Sequence, residues 1–493
     1  MRKTVSILIV SFWLAMVAAL VRRTWVLAPT NRFAVQKAAG ADRDEWMNVY
    51  HEGLKIGYTR SLLSADAASG GFAFAEESLL RLVVMERPQT VQTRLRGHTA
   101  SDFSLRDVEF ELRSGAGDLR ATGVVDSDGL RVTIQTGQDI SEQVLPLREP
   151  LYLPSTLRAS LDVGALEPGR RFEAQVFDPI TLKNDRMSIT VERQEPLPGD
   201  KGGTQAWRVR EEFHGLHTTA WTDEAGVVLR EEGPMGMVLV RTCREQALNA
   251  EWTKDTAWDL VANAAVPVDR PIEDARQRMS LRLRLAGIPT EKVPSDEEQV
   301  RNGSVLTIIR RSLADLQSYP LPYRGDAHAE DLKATAFLQS EHPRLLGVVH
   351  DVVGAEPDAV RAAMRLNDWV YNYLRKVPTI SIPNALQVLD MGEGDCNEHA
   401  VLLAALGRAA GMPTRMVAGA VYINGAFFYH AWCEVWLGRW VSIDPALHQF
   451  PADATHIKFV VGGLEEQLGM IEIIGRLRLE VLDDAGESHG SPH

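Results

Sequence analysis

The sequence predicts an α+β protein: a mostly antiparallel β domain, then a mixed unit of helices and strands, with a hydrophobic helix at the N-terminus. Three observations lead there. From Asp44 to Glu245 short apolar-alternating runs are separated by turn formers, with no sustained helical period. From about Asp326 onward the pattern changes to longer segments bounded by Pro and Gly. Two aromatic-rich runs, Phe427 to Trp436 and Trp440 to Asp444, then read as a strand pair. A chain of 493 residues, 45% hydrophobic and 24% charged, is long enough for two or three domains with full cores.

The N-terminal helix comes first in order. Arg2 and Lys3 precede Val5 to Val21, seventeen uncharged residues, and Arg22 and Arg23 follow. The span is at the short limit for a bilayer, and Ala18-Ala19-Leu20-Val21-Arg22 is a poor cleavage site. The expectation is an uncleaved signal-anchor over residues 1–26, ahead of a cleaved signal peptide and of a buried core helix. That implies an inner-membrane anchored protein with its soluble part in the periplasm, although basic residues at both ends nearly balance the charge rule.

Residues 44–245 are expected to form the antiparallel β-rich domain. Trp46 to Tyr50 and Gly53 to Tyr58 open it as a hairpin, and turns at Ser69-Gly70-Gly71, Asp126 to Gly129, Pro168-Gly169 and Gly199 to Gly203 punctuate it. Nothing in it looks catalytic; a role in positioning substrate or a partner is left by exclusion. Residues 246–312 form a connector, with a short helix over Ala257–Ala265 and two strands, Met279 to Leu285 and Val305 to Arg311. These strands pair with each other or extend the first sheet. Asp326 to Gln339, His342 to Val353 and Pro357 to Lys376 read as helices of a catalytic unit spanning 313–482. The Gly/Ser/His-rich tail 483–493 reads as disordered.

Within that unit, Gly392 and Gly394 precede Asp395-Cys396-Asn397-Glu398-His399. Asp395 is a good N-cap, and Glu398 three residues on completes a capping box. The apolar run Ala400 to Leu406 continues the helix, and Gly411 and Pro413 stop it. Cys396 is thereby in the first turn, where the helix dipole favours a thiolate and free N–H groups can hold an oxyanion. A thiol there is a candidate nucleophile if a histidine can take its proton.

His430 and Asp444 supply the rest. If Leu437-Gly438-Arg439 is a three-residue loop, Trp436 pairs with Trp440, and His430 and Asp444 are diagonal neighbours on one face, within reach of an imidazole–carboxylate bond. A two-residue loop would send them to opposite faces. The pairing therefore requires an odd loop or a bulge.

The stretches GDCNEHAVLLAALGRAAGMPTRMVAG and YHAWCEVWLGRWVSIDPALHQFPADATHIKF resemble the bacterial transglutaminase-like superfamily of papain-type thiol enzymes. The resemblance covers about residues 365–460. It implies a papain-type catalytic domain with Cys396 as nucleophile, His430 as base and acid, and Asp444 as the residue orienting the imidazole. It also implies passage through a thioester in peptidase, amidase or glutamine acyltransferase chemistry, with a protein or peptide as substrate. The other class of reading is a membrane-tethered binding or scaffold module that keeps the fold without turnover.

Around these residues, Trp432 is expected to pack over the imidazole, and Glu434 to be either an acceptor behind it or a solvated strand residue. His399 shares the helix with Cys396 but points along it. Metal binding by Cys396, His399 and His430 lacks a fourth ligand at a familiar spacing, so neither metal nor cofactor is expected. Cys243 and Cys433 read as buried structural residues, and three distant cysteines make no disulfide framework. A formal net charge of −13 without a Lys/Arg block excludes nucleic acid as the expected partner.

Overall fold

The structure is a computed structural model, and it describes residues 42–115, 117–136, 139–159, 166–249, 259 and 264–482. Fifteen strands between Arg43 and Thr242 make one continuous sheet. Eight of them meander from Arg43–His51 out to Asp139–Leu145. Seven more return from Leu151–Tyr152 to Met237–Thr242, which pairs antiparallel with Arg43–His51 and joins the two halves. Short turns make antiparallel neighbours the natural outcome; Leu151–Tyr152 alone runs parallel to its neighbour Arg171–Asp178. The short helix Pro154–Ala159 packs Leu157 into an apolar cluster with Val176, Ile189 and Val209. Its Arg158 bonds Glu211 Oε2 at 2.6 Å and Glu231 Oε2 at 2.9 Å.

The C-terminal unit has α1 (Pro343–Val352), α2 (Ala359–Tyr373), α3 (Ala385–Met391) and α4 (Cys396–Ala409). Four strands follow: β1 (Thr414–Ile423), β2 (Ala426–Trp436), β3 (Trp440–Ile443) and β4 (His456–Val461). In the sheet β1 lies between β2 and β4, and the outer edge of β2 is shared by β3 and by Val266–Pro267. The helices cover one face through Met416, Ala431, Cys433 and Val435. A third sheet, with Ser280–Ala286 at its heart, packs farther along the same strands through Ala418, Ala420, Phe427 and Ile457.

The expected fold class is corrected: the described chain is mostly β, not a balanced α+β protein. Two causes account for the difference. The N-terminal sheet takes about two hundred residues as fifteen neighbouring strands. The two connector strands pair with each other, one of the two arrangements expected, and Ser280–Ala286 gains on its other edge Arg478–Leu482 from the C-terminal end. No helix among the described residues is long and apolar enough to cross a membrane. The stretch Val5 to Val21, most of Ala257–Ala265 and the tail 483–493 lie outside the described residues.

The helix expected over Asp326 to Gln339 is also corrected. Only a 3₁₀ turn, Glu330–Leu332, forms there. Good helix formers give way to tertiary anchors at both ends of the segment. Arg408 Nη1 donates to the Lys333 carbonyl at 2.7 Å, Leu338 enters the helical core, and Phe337 packs on the apolar cluster of the large sheet. Ala336 and Ile382 join Phe337 on that cluster, and Gln387 Nε2 donates to the Asp118 carbonyl at 2.6 Å. The large sheet thus lies against the segments that lead into α4.

Candidate active site

Cys396 is placed by its helix start. Asp395 is non-helical at φ −100°, ψ −153°, and its Oδ1 accepts from the Asn397 N–H at 3.0 Å. Glu398 reaches back so that its Oε2 accepts from the Asp395 N–H at 2.8 Å, closing the capping box. Gly394 is required for this: a Cβ there would sit 2.3 Å from the Glu398 Cβ. Ser381 Oγ donates to the other oxygen of Glu398. Gln387, by its bond to Asp118, is drawn into the contact with the large sheet.

The thiol meets β2 at a break in that strand's edge. Val266–Pro267 covers the edge at Ala426–Phe427, and β3 covers it from Cys433 onward. Among the described residues the stretch between them has no strand partner on that side, and the Ala431 N–H there hydrogen-bonds the Cys396 sulfur. Ala431 is the chain neighbour of His430. Burial, with the Asp395 carboxyl next in importance, pushes the Cys396 thiol well above its ordinary value, and the Ala431 bond offsets only part of this. Burial of the thiol thus opposes the thiolate that a helix start favours. Asp395 is itself held well above the usual carboxylate range, by burial and by Glu398 beside it.

The register of β2 and β3 brings the other two residues together. Trp436 pairs with Trp440 across a three-residue loop whose Gly438 has φ +77°. His430 Nε2 and Asp444 Oδ2 are 2.7 Å apart, which leaves Nδ1 as the nitrogen that can serve the thiol. Asp444 is fully buried. Its Oδ1 accepts from the N–H groups of Ala446, at 2.8 Å, and Leu447, at 2.9 Å. Burial alone would raise its carboxyl; the His430 and His456 imidazoles outweigh that and hold it well below the ordinary carboxylate range.

His456 was not singled out in the sequence, and it completes the site. Its Nε2 is 3.0 Å from Asp444 Oδ2, and its Nδ1 is 3.2 Å from Asp453 Oδ1. The signal available was a histidine alternating with Lys458 in an otherwise apolar strand. Burial opposes a charge on His456, but the hydrogen bonds to Asp444 and Asp453 prevail and raise it to about 9. The His430, Asp444 and His456 ligand-type atoms lie within 4.8 Å of one another, and hydrogen bonds account for that arrangement.

A pH dependence follows. The folded-state value of His456 is above its unfolded one, so the stability it contributes is complete below about pH 6.5 and lost as pH rises through 9. Asp444 and Asp453 are depressed, so their contribution is present above the unfolded value and lost on acidification. Urea denaturation at pH 6 and pH 9.5 should show a loss of about 3 kcal/mol at most from His456, absent in His456→Gln.

The remaining candidates fall differently. Trp432 is fully buried, 6.2 Å from the His430 ring and nearly parallel to it. A Cβ on Gly419 would meet its ring at 2.6 Å, so glycine opposite His430 lets the indole lie flat. Glu434 is not solvated: it is fully buried, paired with Arg415 at 2.6 Å and with Lys458. His399 is buried, and its Nδ1 bonds the Asp395 carbonyl at 2.6 Å; burial lowers its basicity, which does not suit a proton acceptor. Cys433 is buried and donates to the Ala400 carbonyl at 3.2 Å. Cys243, expected to be buried, is exposed at the end of the large sheet.

A first-turn cysteine, and a strand histidine bonded to a buried aspartate, are the residue set that the resemblance to papain-type thiol enzymes implies. Residues 347–445 match the transglutaminase-like superfamily, and the chain carries a domain of that superfamily. No similar sequence was found among curated proteins. Among solved structures, a candidate cysteine protease from Cytophaga hutchinsonii is 14% identical, covering 42% of this chain and 90% of its own at a TM-score of 0.31. A β-barrel-like protein of a domain of unknown function from Brucella abortus is 12% identical, covering 41% and 96% at a TM-score of 0.32. A candidate protease from Parabacteroides distasonis is 10% identical, covering 69% of each chain at a TM-score of 0.18. Likeness at these scores carries no argument about activity.

Proposed function

We propose that the chain is a thiol enzyme acting on amide bonds of proteins or peptides through a thioester on Cys396. His430 Nδ1 takes the thiol proton as the sulfur attacks the amide carbonyl carbon. The C–N bond then breaks, and His430 returns that proton to the leaving amine. Water or a second amine, deprotonated by the same imidazole, adds to the thioester; the C–S bond then breaks and His430 gives that proton back to the sulfur. The Cys396 N–H is the candidate oxyanion donor. Water is the simpler acceptor, since an amine needs a site of its own.

The observation that carries this reading is the 2.7 Å bond from His430 Nε2 to Asp444, made one residue from the N–H that holds the Cys396 sulfur. The raised thiol fits a resting state in which the sulfur keeps its proton, so that attack and proton transfer go together.

Iodoacetamide at pH 7 tests it. Cys396 should be alkylated faster than exposed Cys243, and His430→Ala should slow it by about 10²-fold or more, leaving Cys243 unaffected. Equal, slow labelling in both proteins would assign the chain to a non-catalytic binding module. Mass spectrometry of peptides incubated with wild type and Cys396→Ala then separates backbone cleavage, deamidation and cross-linking.

A further inference from the structure

We propose that His456 is a positioning residue of the reaction: it clamps Asp444 from behind, so that the working line is Cys396, His430, Asp444 and His456. The inference rests on the reading above and adds a residue to it.

The geometry is one carboxylate oxygen between two imidazoles. Asp444 Oδ2 is 2.7 Å from His430 Nε2 and 3.0 Å from His456 Nε2. His456 is 4% exposed, so water does not compete for either of its nitrogens. Its Nδ1 is fixed by Asp453, through Oδ1 and through the carbonyl, both at 3.2 Å. Asp453 is fixed in turn. Its Oδ2 accepts from Arg276 Nη1 at 2.8 Å and Gln449 Nε2 at 2.9 Å, and its Oδ1 from the Thr455 N–H at 2.8 Å. Gln449 also exchanges two backbone hydrogen bonds with Asp444, each 2.9 Å.

An imidazole with a carboxylate at both nitrogens donates at both, which makes it an imidazolium. The titratable and charged groups facing it are Asp444 just past β3, Asp453 with Arg276 behind it, and the His430 ring across Asp444; the Trp432 ring lies 5.2 Å away. Asp444 lies just past the end of β3, where the ladder to β2 has ended. The Ala446 and Leu447 N–H groups hold Oδ1, so Oδ2 has only the His430 ring and His456 to set its direction. The donated bond from His456 fixes the oxygen that orients the ring.

Alkylation of Cys396 by iodoacetamide, followed by peptide mass spectrometry from pH 5 to 9, tests this. Wild type comes first: if its Cys396 labels no faster than Cys243, the thiol-enzyme reading itself fails. If wild type is fast, His456→Phe is expected to slow Cys396 at least tenfold at pH 6.5 and move its pH profile to higher pH. His456→Gln, whose amide can still donate to Asp444, should stay within threefold of wild type. A folded His456→Phe with the wild-type profile overturns the inference, as does a Gln variant as slow as Phe. Should His456→Phe not fold, Asp453→Asn decides. That change weakens the hold on Nδ1 and is expected to slow Cys396 at least threefold; an unchanged rate overturns the inference.

Discussion

Asp444→Ala is expected to remove nearly all thiol reactivity and to destabilise the fold in the same step. The carboxylate is fully buried and accepts from two imidazoles and two backbone N–H groups. Truncation leaves all four donors without their acceptor, and it leaves the His456 charge facing Asp453 alone. Each stranded buried group costs about 1–3 kcal/mol. Local relaxation brings the expected sum to about 3–5 kcal/mol. Turnover should fall on the order of 10⁴-fold, the scale at which an orienting carboxylate matters to a histidine base. Asp444→Asn separates the two effects. It keeps the volume and one acceptor oxygen, so stability should drop less, while its amide N–H favours the wrong imidazole tautomer. Urea denaturation beside Cys396 alkylation measures both. Normal alkylation in Asp444→Asn would remove the carboxylate from the mechanism.

Lys458→Met should be the largest purely structural loss on the same face of the sheet. Lys458 is 3% exposed, and its ammonium pairs with Glu434 and Asp296. Glu434 is fully buried and shares its charge with Arg415. Glu298 lies beside it, pushed up to about 7 by burial and by Glu434. Removing the ammonium leaves carboxylates facing one another in a poorly solvated place, a change that costs about 3–5 kcal/mol. The deficit should shrink below pH 6, because protonation relieves the stranded charge. It should also shrink in the Lys458→Met/Glu434→Gln double variant, where one of the two partners is neutral. Thermal unfolding at pH 5.5 and pH 8 checks both. A deficit independent of pH would mean that Lys458 acts through its packing alone.

The parts of the site visible in sequence were those encoded locally. Asp395 and Glu398, three apart after Gly394, announce a helix start whatever surrounds it, and the capping box forms as expected. The three-residue loop fixes the Trp436–Trp440 register by parity, as counting required, while the His430–Asp444 bond itself forms past the end of the ladder, where Asp444 bridges Gln449. The helix over Asp326 to Gln339 failed for the opposite reason: helix propensity is overridden by tertiary contacts, and distant anchors decided the segment's path. Glu434 was ambiguous because an alternating strand does not say which face is wet. Cys243 was misjudged because an apolar run next to it ends at a sheet terminus.

By itself, the sequence determined the helix start that carries Cys396, the strand pairing that carries His430 and Asp444, and the superfamily of the domain that holds them. Those are short-range properties, set by caps, turns and side-chain alternation. Only the tertiary structure decided that the chain is mostly β, and that Ala431 offers its N–H to the sulfur at a break in the strand edge. It alone brought His456 behind Asp444, and it made the thiol harder, not easier, to ionise. Each of these depends on which groups lose water together, and desolvation is a property of the packed molecule that no local spacing encodes.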